Sequence, residues 1–275
     1  MNVALNPPKL FVRTIALHDH AGGLVDRLPA ASPLAWLTED EGIVGWGEAA
    51  RLDLDGAPAS TEPTDTTRFT QADEWMNDLI SDSQVQDEVG LPGTGLVAFG
   101  TFSFDPTSAG SALVVPRMLL GRRDGRTWLT TISDEPAPLP DRPLPPLQKP
   151  RPVGPLTWSQ GSLSEERWMA TVADTVARIR AGELDKAVLA RDAFAEATSP
   201  IDVRTLLERL RTRFPSCFAF CVDGMVGATP ELLLRREGDR LTSLVLAGTR
   251  PRGEDPDGDR RLAEELMSSA KDVDE

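Results

Sequence analysis

The chain is poor in the residues that most often carry metal and proton chemistry. It has two histidines, His18 and His20, and two cysteines, Cys217 and Cys221. The CxxxC has no second pair to complete the roughly four ligands of a structural zinc site. It reads as two small residues on a strand. His18 and His20 would share one face of an extended segment, with no third ligand nearby, and read as surface or strand-edge residues. Proton chemistry therefore falls to Lys, Glu or Asp. No apolar run approaches the roughly 18 to 20 residues of a membrane helix. The N-terminal MNVALNPPKLFVRT lacks the basic start and apolar stretch of a signal peptide, so the expectation is a cytoplasmic protein. Basic residues are also outnumbered, 29 Lys and Arg against 43 Asp and Glu, for a net charge of −14. That balance argues against a nucleic-acid binder. It leaves room for an anionic small molecule, because a local site can oppose the global field.

What the chain does have is enough apolar sequence to fold. Hydrophobic residues make up 40% of 275 residues, which suits one or two globular domains. Two segments read as irregular: Leu52–Thr67, rich in Asp, Pro and Thr, and Glu135–Pro155, which holds nine of the 23 prolines. The second divides the chain into a strand-rich part, 1–134, and a mixed part, 156–275, with 135–155 as their connection. In the first part, Ala35–Leu37, Ile43–Ala49, Gly95–Phe104, Leu113–Leu120 and Arg126–Ile132 read as strands. RRDG is a hairpin turn signal between the last two, and one helix spans about Thr70–Ile80. In the second part, Ser164 caps a helix to Ala181, with Trp168, Val172, Val176 and Ile179 facing inward. A strand at Leu184–Ala195 and a helix at Val203–Arg213 follow. Strands at Ser216–Val222, Glu231–Arg236 and Leu241–Leu246 precede a last helix from Pro256, whose inward residues are Leu262, Leu266, Ala270 and Val273. Helices separated by several strands with short turns predict an α+β fold with large antiparallel sheets.

Four groups invite chemistry. In LDKAVLAR, strand alternation sets Lys186 beside Val188 and Ala190. It is then either a buried amine whose pKa falls until it can act as a base, or a residue near the strand entry that reaches solvent beside Asp185. Glu231 follows the turn at Thr229–Pro230 and precedes three leucines. It is either a carboxyl against apolar surface, kept protonated as an acid, or a strand-start residue facing water. In LAGTR, Gly248 allows close backbone approach and Thr249 adds a hydroxyl donor. Ala247, Gly248 and Thr249 can form an anion loop or a plain turn. Asp272 and Glu275 share a helix face at i, i+3 and offer oxygen ligands for a hard cation, or simply a solvated face. Arg250 and Arg252 are as ready to pair with acids of EDPDGD as to hold a substrate.

Together GATPELLL, LAGTRPRG, LDKAVLAR and SAKDVDE resemble the chorismate-binding enzymes, over Leu184 to Glu275. GIVGWGEAARL, GLVAFGTFSFDP and GRRDGRTWLTTI resemble the water-adding branch of that family. The resemblance implies a layered α/β/β/α fold with the active site between sheets. It implies Lys186 as the base that activates water, Glu231 as the acid that protonates the departing C4 hydroxyl, and Ala247, Gly248 and Thr249 as substrate contacts. It implies Glu275 as a Mg2+ ligand with Asp272 close to the same ion. The expected activity is isochorismate synthase, Mg2+-dependent and feeding menaquinone or siderophore synthesis. Salicylate synthase, which goes on to eliminate pyruvate, is the alternative. Ammonia-using relatives carry glutamine in place of Lys186 and often lysine in place of Ala247, so no glutaminase partner is expected and a monomer is. The family's catalytic region continues beyond the position of Glu275. It goes on to supply a second metal-binding glutamate and a carboxylate-binding arginine, so the chain is expected to lack its C-terminal part. If it ends there, it is expected to be a chorismate-binding fragment with little turnover.

Overall fold

The computed structural model describes residues 7–17, 22–39, 41–54, 67–105, 108–136, 144–244 and 248–269. Its centre is an eight-stranded sheet. In chain order the strands are β1 (Phe11–Leu17), β2 (Leu34–Thr38), β3 (Glu41–Trp46), β5 (Gln84–Asp87), β8 (Met118–Arg123), β9 (Arg126–Ser133), β12 (Phe218–Val222) and β13 (Met225–Thr229). Across the sheet they run β13-β12-β2-β3-β8-β9-β1-β5. Every pairing is antiparallel except β1 with β5. A three-stranded sheet of β4 (Ala50–Asp53), β6 (Phe99–Thr101) and β7 (Ala112–Val115) packs against it. The α+β class with a large antiparallel sheet is as the sequence implied.

Two hairpins of the large sheet turn on the same dipeptide. Asp124–Gly125 joins β8 to β9 with φ of 49° and 70°, and Asp223–Gly224 joins β12 to β13 with φ of 48° and 85°. Positive φ at both central residues matches the right-handed strand twist, which is why Asp-Gly recurs. The expected single strand at Leu113–Leu120 is in fact two, β7 and β8, lying in different sheets. Pro116 has no amide hydrogen to continue a ladder, and the chain changes sheet there. Of Gly95–Phe104, only Phe99–Thr101 is strand.

Strand alternation splits the buried residues by face. On one face Ala35, Leu37, Val44, Leu120, Ala219 and Cys221 pack with Leu24, Val25 and Leu28 and with Leu207 of α3 (Val203–Arg213). At the far end, Leu10, Val12 and Ile132 pack with Trp75 and Leu79 of α1 (Thr67–Asp82). On the other face Leu34, Leu119 and Val222 meet Phe99 and Val114 of the small sheet. Within the β1–β9 ladder the hydroxyls of Thr14 and Thr130 bond at 2.8 Å, and Thr14 Oγ1 also accepts from Gly95 N, so neither buried hydroxyl is left unsatisfied.

The second half of the chain is built differently. Its elements are β10 (Leu156–Gln160), α2 (Glu165–Arg180), β11 (Ala193–Ala197), β14 (Leu232–Glu237), β15 (Arg240–Leu244) and α4 (Pro256–Ser268). β10 pairs only with β11, and β14 only with β15. None of these six elements contains a buried residue. Ser164 caps α2 by accepting from Arg167 N, as expected. Of the expected inward stripe, Trp168, Val172 and Ile179 are half-buried and Val176 is exposed. The expected strand at Leu184–Ala195 is realised only from Ala193, because among the described residues no strand pairs with 184–192 to receive their hydrogen bonds.

One buried ion pair joins the two halves. Asp202 Oδ2 accepts from Arg204 Nη2 at 2.6 Å, with both side chains almost fully enclosed. The same carboxylate accepts from Arg151 N at 3.0 Å, and Arg204 Nη1 donates to Leu28 O at 2.8 Å. The end of the proline-rich connection, the start of α3 and the Val25–Arg27 turn therefore meet on two side chains. The Arg204 guanidinium holds the Asp202 carboxyl below its usual value, at about 2. A depressed carboxyl stabilises the fold fully above its unfolded pKa, about 4, and the contribution is lost as pH falls toward 2. A shift of this size is worth about 2 kcal/mol. Asp202→Asn should lower stability by about 3 kcal/mol in urea titrations at pH 7, because it leaves a buried guanidinium unpaired. Its stability should also fall less steeply between pH 4 and 2 than that of the parent. An unchanged midpoint would contradict the role.

Candidate active site

The three chemically suggestive segments stand on connections between elements, each fixed at its base. The first is 183–192, which carries Lys186. Its N-terminal end leaves α2 through Gly182 at φ 75°, where Gly182 N and Glu183 N donate to Ile179 O and Arg178 O. Arg178 Nε also donates to the Glu183 carboxylate at 3.0 Å. At the other end, Asp192 accepts from Ser162 N at 2.9 and 3.0 Å and from Ser162 Oγ at 2.7 Å. These bonds hold the Asp192 carboxyl below its usual range. A Cβ on Gly161 would come within 2.3 Å of that carboxylate, so glycine is required for the approach. Lys186 lies between the two anchors and is exposed, as is Val188 at 87%. The interior strand face that would have buried the amine is not formed, since the ladder begins only at Ala193.

The second segment is the exit from β13. Thr229 faces Phe218 on the last rung of the β12–β13 ladder. Its hydroxyl accepts from Glu231 N at 3.1 Å, closing a small turn over Pro230. Glu231 thus sits two residues beyond an edge strand of the eight-stranded sheet, at the mouth of β14. Its side chain is exposed, and Leu233 and Leu234 after it are 84% and 59% exposed. An apolar wall against the carboxyl is therefore not formed among the described residues.

The third segment is the loop after β15. Gly248 has φ 63°, a left-handed conformation that glycine adopts without strain, and Thr249 beside it is exposed. Ala247 lies outside the described residues. The loop is closed below by Arg252, which makes two bonds to the Asp259 carboxylate at 2.8 and 2.6 Å, and by Gly253 N on the same carboxylate at 3.0 Å. Arg252 is thereby committed to the acids that follow it. A Cβ on Gly253 would strike the backbone of Gly258 and Asp259, so this glycine too is required by close approach. Sequence reasoning missed Asp192, whose partner is 30 residues away, whereas the pairing of Arg252 with an acid of EDPDGD was one of its alternatives.

Asp272 and Glu275, the expected Mg2+ ligands, lie outside the described residues. Among the described residues no group of three or more His, Cys, Asp or Glu could hold a metal ion. No described helix is long and apolar enough to cross a membrane.

A family model described as chorismate binding enzyme matches residues 32–275, and the chain belongs to that family. Over 190 residues it is 34% identical to a Mycobacterium tuberculosis protein assigned as an isochorismate synthase, MenF, a span of 65% of this chain and 46% of the relative. Over 115 residues it is 39% identical to the isochorismate synthase DhbC of Bacillus subtilis, covering 38% of this chain and 29% of the relative. Its fold is similar to that of the menaquinone-specific isochorismate synthase MenF of Escherichia coli, with a TM-score of 0.64 at 21% identity, covering 98% of this chain and 62% of that one. The chain spans about half the length, or less, of the curated relatives it matches.

The anchoring of residues 183–192 makes a local prediction. Asp192→Ala should release the C-terminal end of the segment and speed tryptic cleavage after Lys186 and Arg191 several-fold. Its melting temperature should stay close to the parent's, because the bonds lost are exposed. Unchanged cleavage would show that Asp192 does not hold the segment.

Proposed function

We propose that the protein to which this chain belongs is an isochorismate synthase. The observations that carry the reading are an ammonium on a segment pinned at both ends and a carboxyl set just outside the sheet edge. Both lie at positions that match the family's base and acid. Isochorismate synthases among its relatives support the same reaction. Chorismate gains water at C2 and loses its C4 hydroxyl as water, while the ring double bonds shift. Water is a weak nucleophile, and Lys186 in its neutral form takes the proton from it. Hydroxide is a poor leaving group, and Glu231 in its acid form protonates it. Such a displacement needs a base for the entering water and an acid for the leaving hydroxyl.

The anion loop of Ala247, Gly248 and Thr249 would hold a carboxylate of the substrate through backbone amides and the Thr249 hydroxyl. We assign Asp272 and Glu275 to a Mg2+ ion that neutralises substrate charge when bound. Lysine at 186 and alanine at 247 favour water over ammonia as nucleophile, and with it an enzyme that needs no glutaminase. Cytoplasmic placement and a monomeric state belong to the same reading.

The test is incubation of the purified protein with chorismate and Mg2+, with products resolved by chromatography. Isochorismate is expected, and Lys186→Ala or Glu231→Gln should each reduce its formation by at least about a hundredfold. Calorimetric titration with Mg2+ should show binding that Glu275→Gln abolishes. Salicylate with pyruvate would move the protein to the eliminating branch. Turnover indifferent to both substitutions would remove Lys186 and Glu231 from the mechanism.

A further inference from the structure

The edge of the eight-stranded sheet farthest from β12 and β13 carries a small cavity that the proposed chemistry does not use. It has a volume of about 180 Å³ and lies over β5, β1 and β9. Strand register sets its floor. Gln84, Phe11 and Ser133 stand in one row across the three strands, and Gln86, Arg13 and Thr131 stand in a second row on the same face. All six line the cavity, as does Pro136 beyond the end of β9. The volume falls below the roughly 300 Å³ at which pockets for drug-sized molecules begin. It suits a group of a few heavy atoms.

The chemistry of the lining is one-sided. Acids outnumber bases in the chain, 43 against 29. Yet among the described residues that line this cavity there are one guanidinium, two hydroxyls and two carboxamides, and no carboxylate. Every one of these polar groups can donate. Arg13 Nη2 donates to Glu88 at 3.3 Å, a long contact to a carboxylate that is itself 58% exposed. Arg13 Nε is enclosed and has no acceptor among the described residues. An enclosed N–H of this kind calls for one, because leaving it unsatisfied costs more than an ordinary hydrogen bond returns. Ser133 Oγ already accepts from Glu135 N at 3.1 Å, which leaves its own hydrogen to donate elsewhere. The Thr131 hydroxyl and the Gln84 and Gln86 amides have no hydrogen-bond partner among the described residues. Lys9 adds a second positive charge beside the floor, its ammonium 5.7 Å from the centre of the Phe11 ring. The acids next in sequence to the floor are engaged elsewhere. Asp87 accepts from Val89 N, Gly90 N and Thr94, and Asp134 pairs with Arg117. Donors from three strands thus converge, with a guanidinium on the middle one.

We propose that this cavity binds a phosphate group, free or as a monoester. Arg13 meets two of its oxygens along the Nε edge, in the two-pronged geometry that guanidinium favours. The hydroxyls of Thr131 and Ser133 donate from one neighbouring strand and the amides of Gln84 and Gln86 from the other. A tetrahedral anion offers oxygens to donors arriving from three sides, whereas the two oxygens of a carboxylate lie in one plane. Lys186, Glu231, Gly248 and Thr249 do not line the cavity, so its occupancy does not depend on the reading of the reaction.

Inorganic phosphate and phenyl phosphate are the probes, with acetate as a small carboxylate for comparison, in calorimetric titrations of the whole chain at constant ionic strength. Phosphate should bind saturably, and acetate at least about tenfold more weakly. Arg13→Gln should weaken phosphate at least about tenfold and Thr131→Val about threefold, while Thr249→Ala leaves it unchanged. Thr131→Val keeps the shape of the side chain, so it reads the hydroxyl even if Arg13→Gln disturbs the sheet edge. Near-ultraviolet circular dichroism checks both proteins. Phenyl phosphate binding more tightly than phosphate would assign the site to monoesters, and more weakly to the free ion; either result supports it. Absence of saturable binding, acetate bound as tightly as phosphate, or an affinity unchanged by Arg13→Gln or by Thr131→Val would overturn the site. Binding lost in Thr249→Ala but kept in Arg13→Gln would place the anion at the loop after β15 and overturn it equally.

Discussion

The ladder between β2 and β12 is the constraint on which the rest of the arrangement depends. Ala219, Phe220 and Cys221 pair with Leu37, Trp36 and Ala35, across some 180 residues of sequence. The small side chains are what allow it. Ala35, Ala219 and Cys221 are essentially inaccessible, and α3 packs Leu207 against them. Burial also pushes the Cys221 thiol up, to about 11, so it acts as a small apolar residue. A bulkier side chain in that row would separate α3 from the sheet or the two strands from each other.

Because β12 is fixed there, β13 is fixed as the sheet's edge, and the Thr229–Pro230 bend can place Glu231 just outside it. The frame thus consists mostly of the first half of the chain, and the proposed chemistry hangs from it on turns. Scaffold and site divide in the way usual for enzymes whose reacting groups stand on connections. The Asp192–Ser162 and Asp259–Arg252 contacts then do locally, for their segments, what the ladder does for Glu231. The Asp202–Arg204 pair performs the corresponding task for α3, without which Leu207 would lose its seat.

Much of this was legible in the sequence because it is local. The Asp-Gly turn between β8 and β9, the Ser164 cap and the helix α1 follow from dipeptides and periodicity that act within a few residues. β1 and β5 escaped, as their parallel pairing is a long-range event and β5 has no buried residue to mark it. The break at Pro116 escaped because the apolar run around it is continuous, and only the change of sheet reveals it. For the site, residue types and motif order placed Lys186, Glu231 and Gly248 in candidate roles, and Gly248 does adopt the left-handed conformation. Their surroundings were not legible. Alternation along Leu184–Ala195 describes faces only where a neighbouring strand exists, and among the described residues none pairs with 184–192.

The central claim is that β12 and β13 belong energetically to the sheet of the first half. Native-state hydrogen exchange, read amide by amide against denaturant, addresses it directly. The account predicts that Ala219 and Cys221 exchange with the same opening free energy as Ala35 and Val44. The β10–β11 and β14–β15 pairs should open at distinctly lower cost. Exchange of β12 together with β14–β15, independent of β2, would contradict it.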